Sequence, residues 1–202
     1  MCIRDSHSES PETYYVHTAG LKVVVPSSAL DAYALLRRSI ADPDPVVFLE
    51  PKSRYWSKET GDLSVDGPPI GAARIVREGG DATLIAYGAM VARSVQAADA
   101  LAEDGVECTV VDLRSLVPLD LATLASSVRA TGRAVVVHEA PLTLGMGAEI
   151  VARLMEDCFD VLEAPVLRVA GYDTPYPPAT VEKHYLPSVE RVADAVMRTM
   201  EY

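Results

Sequence analysis

The stretch Ala134 to Ile150, AVVVHEAPLTLGMGAEI, limits the folds open to this chain more than any other. Ala134 to Val137 is a short, unbroken apolar run rich in β-branched residues, the pattern of a strand buried on both faces in a parallel sheet. The spacing predicts that the strand ends at His138 and Glu139. A loop punctuated by Pro141 follows, and Gly145 and Gly147 open an amphipathic run. There Ile150, Val151, Leu154, Met155 and Cys158 share one helical face, with Glu149, Arg153, Glu156 and Asp157 outside it. Strand, loop and helix make one βα unit, whose ligand-facing edge is the C-terminal end of the strand.

The same alternation recurs on both sides. Pro11 and Glu12 after Ser10 predict a short helix start, with Ser10 as the cap, running to about His17. Lys22 to Pro26 and Val46 to Leu49 read as strands, around a helix started by Ser28 with Asp31 and carrying the stripe Ala29, Ala32, Tyr33, Leu36 and Ile40. From Pro51 to Gly71 periodicity disappears and charges, Gly67, Pro68 and Pro69 take over, the composition of a linker. Beyond it Ala82–Tyr87, Cys108–Leu113 and Leu167–Val169 read as strands. Helices follow over Val91–Ala102, after Asp120, and from about Ser188. Such alternation predicts an α/β fold with a parallel sheet. The block before the linker holds only two convincing strands, which predicts an unpaired, Val-rich edge at Val23–Val25 or at Val46–Phe48.

Composition excludes several classes. With 202 residues, 49% hydrophobic and 23% charged, the chain is globular. No apolar run approaches the roughly 18 residues of a membrane helix. A formal charge of −11 argues against nucleic acid and anionic membranes and suits a basic protein partner. Cys2, Cys108 and Cys158 lack metal or redox spacing and read as free thiols of a reducing compartment.

Read without a family, the chemistry stays open. Gly145-Met146-Gly147 lacks the third glycine of a dinucleotide fingerprint, because Ile150 stands there, so a tight strand-to-helix turn is the better account. His138 and Glu139 are adjacent on a strand and point to opposite faces, which favours a structural or subunit-contact role over an acid–base pair. His7 stands among short polar side chains before a helix start. Ser39, Asp42 and Asp44 gather oxygens at a helix end, as a solvated turn or a hard-cation site would.

HSESPETYYVHTAGLKVVVPSS, DPDPVVFLEPK, VVDLRSLVPLD, TGRAVVVHEAPLTLGMGAEI and RVAGYDTPYPP together resemble the β subunit of the thiamine-diphosphate-dependent component of 2-oxoacid dehydrogenase complexes. HEAPLT and GYDTPYP resemble the branched-chain type more than the pyruvate type. The resemblance implies a transketolase C-terminal-like parallel sheet domain over 71–202, preceded by the tail of a pyrimidine-binding α/β domain over 7–56. Residues 57–70 are then a linker, and residues 1–6 remain unmatched.

The family likeness also carries expectations about chemistry. His7 matches the histidine of H-S-x-S-P-E, which implies a catalytic acid or base, or an orienting group, in acyl transfer to lipoamide. Ser39, through its carbonyl, with Asp42 and Asp44, matches half of a potassium site. Thiamine diphosphate and Mg²⁺ are the implied cofactors, but the glutamate that engages the aminopyrimidine is expected upstream of His7. The diphosphate is expected on an α subunit, so the chain alone is expected to be inactive. Implied partners are that α subunit, a second β subunit and the subunit-binding domain of a lipoyl acyltransferase core, with no nucleic acid and no membrane. The implied setting is the bacterial cytoplasm or, in a eukaryote, the mitochondrial matrix. Two alternatives remain beside this reading: a non-catalytic dimerisation and docking module, and a pyruvate- or acetoin-type β subunit.

Overall fold

A computed structural model describes residues 9–63 and 67–202. His7 and Cys2 lie outside the described residues. The strands of the C-terminal block assemble as read from their apolar runs: β4 (Ala82–Ala86), β5 (Cys108–Asp112), β7 (Ala134–Pro141) and β8 (Leu167–Gly171) pair in parallel. The strand β3 (Arg74–Arg77), which carries no apolar run, joins antiparallel to β5 and gives the order β3-β5-β4-β7-β8. The sheet is therefore mixed at one edge. An arginine at each end of β3 is tolerated because each finds an acid: Arg74 meets Asp112 at 3.1 Å and Arg77 meets Glu107 at 2.8 Å.

Side chains alternate across this sheet with period two. Leu84, Val110, Val135 and Val137 face α3 (Ala89–Glu103) and α7 (Val189–Met200) in one core. Ile85, Val111 and Val136 face α4 (Leu121–Thr131) and α5 (Met146–Cys158) in a second. Both faces of the sheet are covered, as an all-apolar strand demands. Three predicted caps form: amides at Asp31, Thr123 and Arg191 donate to the side chains of Ser28, Asp120 and Ser188. The Ser10 cap does not form. Pro11 itself occupies the cap position of α1 (Glu12–Val16), and no side chain caps that helix.

The N-terminal block solves its strand shortage by borrowing. In it, β1 (Lys22–Val24) runs parallel to β2 (Val46–Phe48), which is joined to it through α2 (Ala29–Ala41). On its other side β1 pairs antiparallel with β6 (Ser115–Val117) of the C-terminal block. Val23 and Val24 are thereby fully buried, so no free edge exists at Val23–Val25; among the described residues the edge strand is β2.

A buried polar clasp reinforces this junction. Arg114 is wholly inaccessible, has φ 57°, and donates to Asp31 Oδ1 at 2.6 Å. It also donates to the linker carbonyls of Ala72 at 2.8 Å and Pro68 at 3.2 Å. Asp112 accepts from Ser27 at 2.6 Å across the same boundary. No helix among the described residues is long and apolar enough to cross a membrane.

A carboxylate-lined cavity between the two blocks

At the C-terminal ends of β1, β2, β4 and β7 the two blocks enclose a cavity of about 470 Å³. The N-terminal block lines it with Glu9 to Glu12, Val25 and Leu49 to Ser53. The C-terminal block adds Tyr87 to Ala89, Glu139 and the segment that holds Tyr176, Ala179 and Glu182. The strand-end position is where open α/β sheets place ligands.

Each acid in this wall has a physical reason for its state. Glu12, in the first turn of α1, is 3% exposed and accepts from the Tyr87 hydroxyl at 2.6 Å. Burial raises its pKa, opposed by the phenol bond. Glu139 is pushed up to about 7, first by burial and then by the nearby Glu12 carboxylate. It can therefore gain or lose a proton near neutrality. Glu182 accepts from Tyr176, and Glu50 accepts from Tyr55 at 2.8 Å. Lys52 is the cation in the lining.

That wall does not fit a magnesium diphosphate. Such a group needs cations, amide donors or a helix N-terminus, and carboxylates repel it. Among the described residues no group of three or more His, Cys, Asp or Glu side chains could hold a metal ion.

The predicted strand end at His138 is corrected: β7 continues to Pro141, which pairs with Gly171 after an irregularity. His138 and Glu139 therefore lie inside the strand, on opposite sides. Glu139 faces the cavity. His138 is fully buried, and burial drives its pKa down to about 4. Neither ring nitrogen has a hydrogen-bond partner. Its ring lies parallel to that of Tyr87, with centroids 6.2 Å and planes 9° apart. A Cβ on Gly145 or Gly147 would stand 2.6 Å from this imidazole, so these glycines permit close packing against His138.

Asp42 and Asp44 are brought together as expected, around an ammonium. Lys22 Nζ lies 2.7 Å from Asp42 and 3.0 Å from Asp44, and this bond holds Asp42 below the usual carboxylate range. The Ser39 hydroxyl donates to the Leu35 carbonyl at 2.8 Å, while its own carbonyl lies in the last turn of α2, where helical partners run out. Cys108 and Cys158 are free and buried. Sequence reading missed Tyr87, Tyr176 and Glu182 as lining residues, and it saw in Glu12 only a first-turn acid.

The fold defines a class: an α/β domain with a mixed, mainly parallel sheet, clasped to part of a second α/β unit across a strand-end cavity. The transketolase C-terminal domain model matches residues 71–192, and the chain belongs to that family. The transketolase pyrimidine-binding domain model matches residues 4–57. A 3-methyl-2-oxobutanoate dehydrogenase subunit beta of Mycobacterium tuberculosis is 52% identical over 197 residues, covering 97% of this chain and 57% of that protein. A pyruvate dehydrogenase E1 component subunit beta of Leifsonia xyli is 49% identical over 198 residues, covering 98% and 59%. Among solved structures, a split gene transketolase described as an inactive beta4 tetramer superposes with TM-score 0.82 at 27% identity, covering 96% of this chain and 62% of that one. The chain thus spans a little over half the length of the curated relatives it matches.

Proposed function

We propose that this chain is part of the β subunit of a thiamine-diphosphate-dependent 2-oxoacid dehydrogenase component of the branched-chain type. In that reading it works with an α subunit and a second β subunit, and the acyl unit passes to lipoamide on an acyltransferase core. The observation that carries the reading is the cavity: Glu9 to Glu12, which follow His7 in sequence, line it together with residues of the C-terminal block. His7 is then the acid or base of acyl transfer, a role that suits an imidazole titrating near neutrality. Thiamine diphosphate supplies the chemistry of decarboxylation when bound. Because the described residues do not fit its diphosphate, its holding groups are assigned to the α subunit and to residues upstream of His7.

The substrate choice rests on HEAPLT, GYDTPYP and the 52% identical relative with a branched-chain name. A pyruvate-type subunit is the second reading, favoured by the Leifsonia relative at 49%. The inactive assembly named for the split transketolase supports inactivity of the isolated chain.

Two measurements test the proposal. Calorimetry of the 202-residue chain with cofactor and Mg²⁺ is expected to show no micromolar binding. The chain is then joined to the upstream part of the Mycobacterium relative and paired with that organism's α subunit. This enzyme is expected to use 3-methyl-2-oxobutanoate with a higher kcat/KM than pyruvate, and a preference for pyruvate overturns the branched-chain assignment. In the same enzyme His7→Ala is expected to slow acyl transfer about 10²- to 10⁴-fold.

A further inference from the structure

The helix α1 cannot hold itself in place. It has five residues, far below the length at which a helix is stable alone, and no side chain caps its start. What fixes it must come from outside. Its first-turn acid, Glu12, is drawn into the interior and bonded to Tyr87, a residue of the C-terminal block.

Tyr87 is well placed for this task. It directly follows β4 and is 5% exposed. The next residue, Gly88, has φ 56°, and a Cβ there would stand 3.0 Å from Val25 and 3.2 Å from Pro51. The backbone carrying Tyr87 is thus pressed directly against the N-terminal block. Behind the phenol lies the parallel ring of His138, itself enclosed by Gly145 and Gly147. Burial raises the Tyr87 pKa well above its ordinary value, so the hydroxyl remains a donor.

We propose that Tyr87 is a positioning residue for acyl transfer: its hydroxyl holds Glu12, and through it the start of α1 and the chain segment leading back to His7. This rests on the reading of His7 given above. It also gives the C-terminal block a part in the reaction beyond assembly. Tyr87 touches no reacting atom in this scheme and acts through Glu12.

Tyr87→Phe removes the hydroxyl and keeps the ring against His138. In the 202-residue chain, amide exchange at Tyr14 and His17 is expected to accelerate about tenfold or more, while Val135 to Val137 stay unchanged. Glu12→Ala is expected to act alike. Glu12→Gln keeps an acceptor and is expected to stay within about threefold of the parent. In the paired enzyme, Tyr87→Phe is expected to slow acyl transfer about tenfold with KM for the 2-oxoacid unchanged, and Glu12→Gln to retain most of the rate.

Unchanged exchange in α1 overturns the hold on the helix. Faster exchange with an unchanged transfer rate, in an enzyme that His7→Ala does slow, reduces Tyr87 to a structural contact and overturns the proposal. If His7→Ala leaves the transfer rate intact, the reading of His7 fails, and the positioning role with it; the exchange result then still reports separately on the Tyr87–Glu12 bond.

Discussion

Replacing Arg114 with methionine should free the N-terminal block without unfolding the C-terminal sheet. The guanidinium is wholly inaccessible, and Asp31, its ion-pair partner at 2.6 Å, is 4% exposed. Methionine is of similar length and fills much of the space, so the loss is mainly electrostatic. It strands the Asp31 carboxylate and the carbonyls of Pro68 and Ala72. Breaking one side of a buried pair costs about 3–5 kcal/mol, most of it the uncompensated charge left behind. Every 1.4 kcal/mol is a factor of ten. If this loss falls on the junction alone, protection of the β1 amides should drop roughly 10²- to 10⁴-fold. Amides of β4 and β7, whose cores do not include Arg114, should hold their protection. Hydrogen exchange read by mass spectrometry or NMR measures both in one sample. A fall in β1 of less than about threefold refutes the argument. So does an equal fall in β7, which would make Arg114 a global and not a junction element.

Other perturbations have equally definite expectations. Glu139, held near 7, binds a proton in the folded chain that the unfolded chain has already lost, so its stabilising effect is complete below about pH 4.5 and is lost as the pH rises through 7. Asp112, raised to about 6 by burial, acts in the same direction over a lower window. Stability to urea should therefore fall between pH 5 and 7.5, and Glu139→Gln should flatten the upper part of that slope; an unchanged slope contradicts the assignment. Gly147→Ala drives a methyl against a His138 ring with no room to retreat, and should cost about 1–3 kcal/mol, seen as a Tm lower by several degrees. Because Lys22 already neutralises Asp42 and Asp44, exchanging sodium for potassium should leave the Tm of the chain unchanged; a clear rise with potassium would establish an ion site there.

The sequence was most legible where one local rule decides the outcome. Val135 to Val137 must be a strand covered on both faces, and Ser28, Asp120 and Ser188 each stand where a helix needs an oxygen. It was least legible where distant partners decide. The β3 sequence RIVR looks like a charged turn until Asp112 and Glu107 are placed beside its arginines. The short β6 follows a buried arginine with positive φ, and neither a buried charge nor such a backbone can be anticipated from neighbouring residues. The cavity has the same character. Glu12 and Tyr87 are 75 residues apart, and each alone looks ordinary: an acid in a first turn, an aromatic at the end of a strand. Ser10 shows the reverse error, where a good capping signal yields because Pro11 takes the cap position and Glu12 is drawn inward.

The polar character of the junction follows from the cavity it supports. Apolar faces attract without direction and can slide by fractions of an ångström at small cost, whereas a planar guanidinium is satisfied in one orientation. Arg114, fixed on Asp31 and the linker carbonyls, and Asp112, fixed on Ser27, therefore set a register as well as an energy. That register places Tyr87 within 2.6 Å of Glu12. The pair Arg114→Met with Asp31→Leu separates the two contributions. Exchanging both members of a buried ion pair for apolar residues is often neutral in stability, so much of the β1 protection lost in Arg114→Met should return. Protection of α1 should not return with it if direction, and not adhesion, is what the clasp supplies. Full recovery at both places would show that any adequate glue between the blocks suffices to form the Tyr87–Glu12 contact.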